Sequence, residues 1–165
     1  KFCSECGEAL SLLIPDGDNL ARHVCQSCGM IHYLNPKLVV GCIAEWRDQI
    51  LLCRRSIAPR YGLWTLPAGF MENGETTADA ARRETLEEAC AQVEISQPFA
   101  MISVPLDGSF AAGLETLEAA LCSEETIPWQ QLAFQTVTRC LRAYFADRKT
   151  GRFVFHEDEI RPPIG

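Results

Sequence analysis

Three glutamates, Glu84, Glu87 and Glu88, stand at i, i+3 and i+4 within GFMENGETTADAARRETLEEACA, Gly69–Ala91. At 3.6 residues per turn they share one helical face, where each like-charge pair costs about 0.2–0.5 kcal/mol. Only Arg83, four residues before Glu87, is spaced to pair with one of them. The spacing alone supports two readings: a solvated polar face, or a site for a hard divalent cation such as Mg²⁺, which takes carboxylate oxygens, waters and substrate phosphates. A second set of chemically capable residues is Cys3, Cys6, Cys25 and Cys28, written C-x2-C-x18-C-x2-C. This is zinc-ribbon spacing, in which two tight turns each present two thiolates to one tetrahedral Zn²⁺. Gly7 and Gly29, each directly after a second cysteine, allow the turn that brings backbone N–H groups toward the sulfurs. Two disulfides or a redox pair are the alternatives; the absence of a secretion signal disfavours the first and the doubled motif the second. The other five, Cys42, Cys53, Cys90, Cys122 and Cys140, lie in apolar surroundings and are expected to be buried small hydrophobes.

These groups need a scaffold. The 165 residues, 47% apolar and 22% charged, suffice for one sizeable core and a small appendage. The longest apolar runs, such as Leu38–Ala44, are strand-length, so no membrane span is expected, and a cytoplasmic location is the default. A net charge of −7 excludes a broad phosphate-neutralising face. Residues 1–34 carry Lys1, Arg22 and two histidines against Glu5, Glu8, Asp16 and Asp18, so nucleic acid is not an expected partner. That first stretch reads as turn-rich, with Pro15–Asp18 a turn between two ribbon hairpins. Leu38–Ala44 and Gln49–Arg55 read as strands joined by Glu45–Asp48, followed by the loop IAPRYGLWTLPAGFMENG. A helix capped by Thr76 or Thr77 should run to about Cys90. Val93–Val104 is strand-rich, Glu118–Cys122 is a further strand, and Val137, Leu141, Tyr144 and Phe145 mark an amphipathic helix over Phe134–Asp147. The expected division is 1–34 for the ribbon and 35–165 for an α/β or α+β domain.

The helical stretch resembles the Nudix box, G-x5-E-x7-R-E-U-x-E-E-x-G-U with U apolar, as Gly69, Glu75, Arg83, Glu84, Glu87 and Glu88. Thr85 and Ala91 stand at its apolar positions, and Cys90 replaces its closing glycine. The resemblance implies a Nudix hydrolase, an α/β/α sandwich preceded here by the four-cysteine ribbon. It also implies Mg²⁺ or Mn²⁺ on Glu84, Glu87 and Glu88, helped by the backbone carbonyl of Ala68 or Gly69. Glu75 and Arg83 match the pair that braces the loop against the helix. The implied chemistry is in-line attack of water on phosphorus in a nucleoside diphosphate derivative, with Glu84, Glu115 or Glu118 taking the water's proton.

A zinc ribbon fused to such a domain is similar to the NADH pyrophosphatase branch, and more closely to FAD/ADP-ribose pyrophosphatases. The runs NPKLVVGC, ILLCRR, GLWTLPAGFMENGET, IPW and LAF carry that likeness. NADH pyrophosphatases have SQPWPFP after the box; here SQPF at Ser96–Phe99 falls too close to it, and the matching distance reads MISVPL. FAD or ADP-ribose is therefore the expected substrate, with release of AMP, and NADH the alternative. A Nudix-type ligand sensor is a third reading, against which the three intact glutamates count. In such relatives a second apolar strand follows the V-P step, whereas Pro105-Leu106 runs straight into Asp107-Gly108; either a core strand has been lost or, as is expected, residues are missing there, with a chain break between Val104 and Gly108. Trp64 and Phe70 are candidates for stacking on adenine or flavin, with core packing as the alternative. Arg54, Arg55 and Arg60 are candidates for binding phosphate, Arg54 foremost, with ordinary surface placement the alternative for any one of them. The ribbon is expected to be structural, with homodimer formation a further role open to it.

Overall fold

The computed structural model describes residues 1–103 and 116–160. Glu115 and the expected missing strand with its chain break fall outside these residues. The chain divides into two compact units, Lys1–Lys37 and Leu38–Gly165. Among the described residues no helix is long and apolar enough to cross a membrane.

The first unit is one antiparallel sheet, β1 (Leu10–Leu13), β2 (Arg22–Cys25) and β3 (Ile31–His32), in the order β1-β2-β3. The Pro15–Asp18 turn, closed by the Asp18 N–H donating to the Pro15 carbonyl at 3.0 Å, joins two strands of that sheet. It lies, as expected, between two hairpins: one closed by the antiparallel bridge of Phe2 with Ala9, the other formed by β2 and β3. Only Cys3 and Cys25 are buried among residues 1–37, so this unit has almost no apolar interior of its own.

The second unit begins with β4 (Val39–Gly41), β5 (Glu45–Trp46) and β6 (Gln49–Arg55), continues through β7 (Trp64–Thr65) and β8 (Ala68–Phe70), and then enters helix α1 (Thr77–Ala89). Strands β9 (Ala100–Ser103) and β10 (Thr116–Cys122), helix α2 (Gln135–Thr150) and β11 (His156–Glu159) follow. The segment Glu45–Asp48, expected as a polar connection, instead supplies β5 and a two-residue turn, with Arg47 at φ 59°. Among the described residues of Val93–Val104 the strand is confined to β9, which pairs in parallel with β11. Strand β6 is the centre of its sheet, hydrogen-bonded to β10, β5 and β7, while β4 pairs with β8 separately.

Alternation along β6 sets the layers. Ile50 and Leu52 are fully buried in one cluster with Leu66, Cys122, Ile127 and the α2 residues Val137, Leu141, Tyr144 and Phe145. Those four are the residues that the helical periodicity marks as apolar, and truncating one, Leu141→Ala, costs about 2–5 kcal/mol. Cys53 points the other way, its Sγ 3.9 Å from the Glu88 carbonyl of α1. Helix α1 thus lies across the sheet from α2, against β4, β8 and β10. Its start is a capping box: Thr76 Oγ1 accepts from the Asp79 N–H, and Asp79 accepts from the Thr76 N–H. Its end is Cys90, at φ 51°, a left-handed conformation that glycine adopts without cost and cysteine does not. Cys90 is exposed, against the expectation of burial.

Candidate functional site

The four ribbon sulfurs lie within 4.8 Å of one another. Cys3 Sγ is 3.6 Å from Cys28 Sγ, and Cys6 Sγ is 3.4 Å from Cys25 Sγ. All four cysteines are free, and these separations approach the edge of about 3.8 Å of a tetrahedron with arms of about 2.3 Å. The turns form as the glycines require: Gly7 and Gly29 sit at φ 79° and 76°, and their N–H groups donate to the Cys3 and Cys25 carbonyls. The Glu5 N–H donates to Cys3 Sγ at 3.4 Å, and His32 Nε2 lies 3.4 Å from the same sulfur. A closed set of four soft donors supported by N–H groups fits Zn²⁺.

The second cluster forms where β8 faces α1. Gly69 carries no side chain, and a Cβ there would fall 2.3 Å from the carboxyl carbon and both oxygens of Glu84. The missing methyl is what lets the buried Glu84 carboxylate rest against the β8 backbone. One residue earlier, the Ala68 N–H donates to Glu88 Oε2 at 3.2 Å.

Arg83 ties this seam to the preceding loop and spends all five N–H directions in doing so. Nε and Nη2 donate to Glu75 at 3.1 and 2.8 Å, Nη2 to the Phe70 carbonyl at 3.1 Å, and Nη1 to Glu84 at 2.7 Å and Glu87 at 3.3 Å. The hydrogen bond from Arg83 pulls the Glu75 carboxyl below its ordinary range. The helix therefore does not leave two of its three carboxylates without a partner, as spacing alone implies. Arg83 serves Glu84 as well as Glu87, and Glu88 takes a backbone donor from strand β8.

Burial pushes the Glu88 carboxyl up to about 7; the Ala68 N–H opposes the shift, the Glu84 charge adds to it, and Arg55 offsets part of it. Below its ordinary value of 4.5 the group is protonated in folded and unfolded chains alike. Between there and about 7 the folded chain keeps a proton that the unfolded chain has released. Stability accordingly falls as pH rises through this window and levels off above it. In zinc-loaded protein free of Mg²⁺ and Mn²⁺, urea titrations at pH 5 and pH 8 should differ through this group by about 1–2 kcal/mol after solvent screening. The difference should vanish in Glu88→Gln, and an equal pH dependence in both chains would count against it.

Hard oxygen donors with a cradle that a single methyl would fill suit a divalent ion of the Mg²⁺ type, which keeps several waters and needs few direct protein ligands. The three carboxylates do not converge as the thiols do. Among the described residues the cysteine set is the one group of three or more ligand atoms gathered within 4.8 Å, and Arg83 stands between Glu84 and Glu87.

Other expected site residues go elsewhere. Glu118 is registered opposite Arg54, as Ala120 is opposite Leu52 and Cys122 opposite Ile50, which puts it on the α2 face of the sheet. There Arg54 Nη1 approaches it at 3.7 Å, while Arg54 Nε donates to the Gly62 carbonyl at 2.9 Å. Trp64 is paired with Arg54 and packs on the α2 core cluster. These three thus lie across the sheet from α1, because strand alternation sends positions 52 and 54 to one face and 53 and 55 to the other. Phe70 is half-buried on β8 and contributes its carbonyl to Arg83. Arg55, one of the three arginines read from sequence as phosphate-binding candidates, is the one whose charge reaches Glu88; the parity of β6 against Cys53 is the signal that singles it out.

Comparison with known proteins adds to this geometry. Residues 1–34 match the family described as Nudix N-terminal, and residues 35–112 the NUDIX domain. The chain is 39% identical over 112 residues to the NAD-capped RNA hydrolase NudC of Photobacterium profundum, covering 62% of this chain and 39% of that protein. It is 26% identical over 175 residues to NudC of Pseudomonas fluorescens, covering 98% of this chain and 60% of that one. It therefore spans less than two thirds of the length of these relatives. A crystal structure of a NUDIX hydrolase from Nitrosomonas europaea superposes with a TM-score of 0.90 at 47% identity, covering 98% of this chain and 99% of that one. That likeness runs through both the ribbon and the seam of β8 and α1, and the chain belongs to the Nudix hydrolase family.

Proposed function

We propose that this protein hydrolyses the P–O–P linkage of a nucleoside diphosphate derivative, FAD or ADP-ribose, and releases AMP in the cytoplasm. In this reading Glu84, Glu87 and Glu88, with the backbone carbonyl of Ala68 or Gly69, hold Mg²⁺ or Mn²⁺, and the four ribbon cysteines hold a structural Zn²⁺. The observation that carries the reading is the bare Gly69 backbone against the Glu84 carboxylate. The catalytic ion supplies the positive charge that a polyanionic substrate needs on a chain of net charge −7, and lowers the pKa of water at the site.

The chain's own residues hold that arrangement still. Arg83 fixes the Glu75 loop to α1 and limits repulsion between Glu84 and Glu87, while Ala68 orients Glu88. The proton of the attacking water goes to Glu84 or to Glu115. Glu118 is set aside because it is engaged with Arg54 across the sheet. Phe70, beside Gly69, is retained for stacking on the base; Trp64 and Arg54 are not. The ribbon serves as a structural module and as a surface through which two copies can associate.

The names of the NudC relatives favour a second reading, a nicotinamide dinucleotide substrate such as NADH. Incubation of the protein with FAD, ADP-ribose, NADH or a nucleoside triphosphate, each with Mg²⁺ or Mn²⁺ and with products resolved by chromatography, separates the two. The expected result is a larger kcat/KM for FAD or ADP-ribose. A preference for NADH would favour the second reading, and no hydrolysis of any would favour a ligand sensor.

A further inference from the structure

We propose that Gly41 and the contact between Cys42 and Thr85 are positioning elements that set the gap between β8 and α1, and with it the shape of the divalent-ion site; the inference rests on reading Glu84 and Glu88 as ligands. Gly41 lies outside the family box and is not among the glycines with positive φ, so its backbone conformation does not call for glycine. Space does. A Cβ at Gly41 would fall 2.5 Å from the Ala68 Cβ and 2.5 Å from the Pro67 carbonyl oxygen, whereas facing Cβ atoms of an antiparallel pair ordinarily stand about 4.5–5.5 Å apart.

Gly41 is registered opposite Ala68, the residue whose N–H holds Glu88. Next to it, Gly69 turns bare backbone to Glu84. Strand β8 is therefore pressed between β4 and α1, with a side chain missing on each side where contact is closest. Any side chain at position 41 has to displace the backbone that meets both carboxylates.

Cys42 extends the same strap to the helix. Its N–H donates to the Pro67 carbonyl at 3.3 Å, and its Sγ lies 3.0 Å from Thr85 Oγ1. The Thr85 hydroxyl donates to the Ala81 carbonyl at 2.7 Å, so the thiol is the donor in the contact with Cys42. Burial pushes that thiol up and keeps it protonated. Thr85 is fully buried and sits one residue after Glu84 and three before Glu88, so the strap is anchored between the two carboxylates. An apolar residue at position 85, as the family box has, packs but makes no directional bond to Cys42.

The test is Mn²⁺ affinity, measured by electron paramagnetic resonance of free Mn²⁺ over zinc-loaded protein, which needs no turnover. Gly41→Ala should weaken binding about 10–100-fold, and adding Ala68→Gly to the same chain should restore part of it by removing one of the two contacts. Thr85→Val, nearly isosteric, should give a smaller loss in the same direction. Leu141→Ala, in the opposite layer, should lower the melting temperature and leave Mn²⁺ affinity unchanged. Wild-type affinity in Gly41→Ala, or an equal loss in Leu141→Ala, overturns the proposal. Unchanged affinity in Thr85→Val overturns its Cys42–Thr85 part. Wild-type protein that binds no Mn²⁺ overturns the ligand reading, and the inference with it.

Discussion

Glu87→Gln and Glu88→Gln are each expected to lower turnover about 100–1,000-fold at saturating Mg²⁺ while leaving the melting temperature unchanged or slightly raised. Each substitution keeps the side-chain shape and removes the charge that would meet the cation. At Glu88 the amide oxygen of glutamine can still accept from Ala68, so the seam of β8 and α1 stays closed. At Glu87, about half-exposed, the loss to the fold is one contact of 3.3 Å from Arg83, whose stronger bonds to Glu75 and Glu84 remain. Removing a like charge from the helix face also relieves about 0.2–0.5 kcal/mol of repulsion per pair. A loss of activity with intact folding separates a ligand from a structural carboxylate. A variant that keeps most of its turnover at saturating Mg²⁺ would show that the glutamate is a solvated helix residue.

Zinc removal should have the largest structural effect. Protein purified without chelator is expected to contain one zinc per chain, and stripping it, or replacing Cys25 by Ser, should abolish the β1-β2-β3 sheet. The reason is burial: the only buried side chains in residues 1–37 are two of the four thiols, so no apolar core remains to hold the strands. Structural zinc contributes on the order of 10 kcal/mol to folding in comparable small modules, far more than three short strands supply. The second unit has its own core around Ile50, Leu52 and Leu141 and should keep its helical signal. Elemental analysis giving less than half an equivalent of zinc, or a ribbon whose amide resonances stay dispersed after chelation, would overturn this.

Both predictions rest on residues that the sequence marks without help, and the reason is that their function depends on local spacing. Four cysteines in two close pairs can close on one ion wherever the ribbon sits, and Glu84, Glu87 and Glu88 share a face because helical geometry repeats every few residues. The capping Thr76 and the four apolar positions of α2 are read in the same way. Tertiary structure alone decided what depends on chain segments far apart in sequence. Whether Arg54 or Arg55 meets the α1 carboxylates depends on the parity of β6, and ILLCRR reads equally well with either arginine on that face. Glu118 is free by sequence to face either layer, and its register against Arg54 turns it away from α1. Gly41 gives no local sign of its role, since neither a turn nor a positive φ requires it; only the approach of Ala68 and Pro67 across the β4–β8 pair leaves no room for a side chain. What Thr85, a departure from the box, meets is likewise visible only in three dimensions: the Cys42 thiol, forty-three residues earlier in the chain, 3.0 Å from its hydroxyl oxygen.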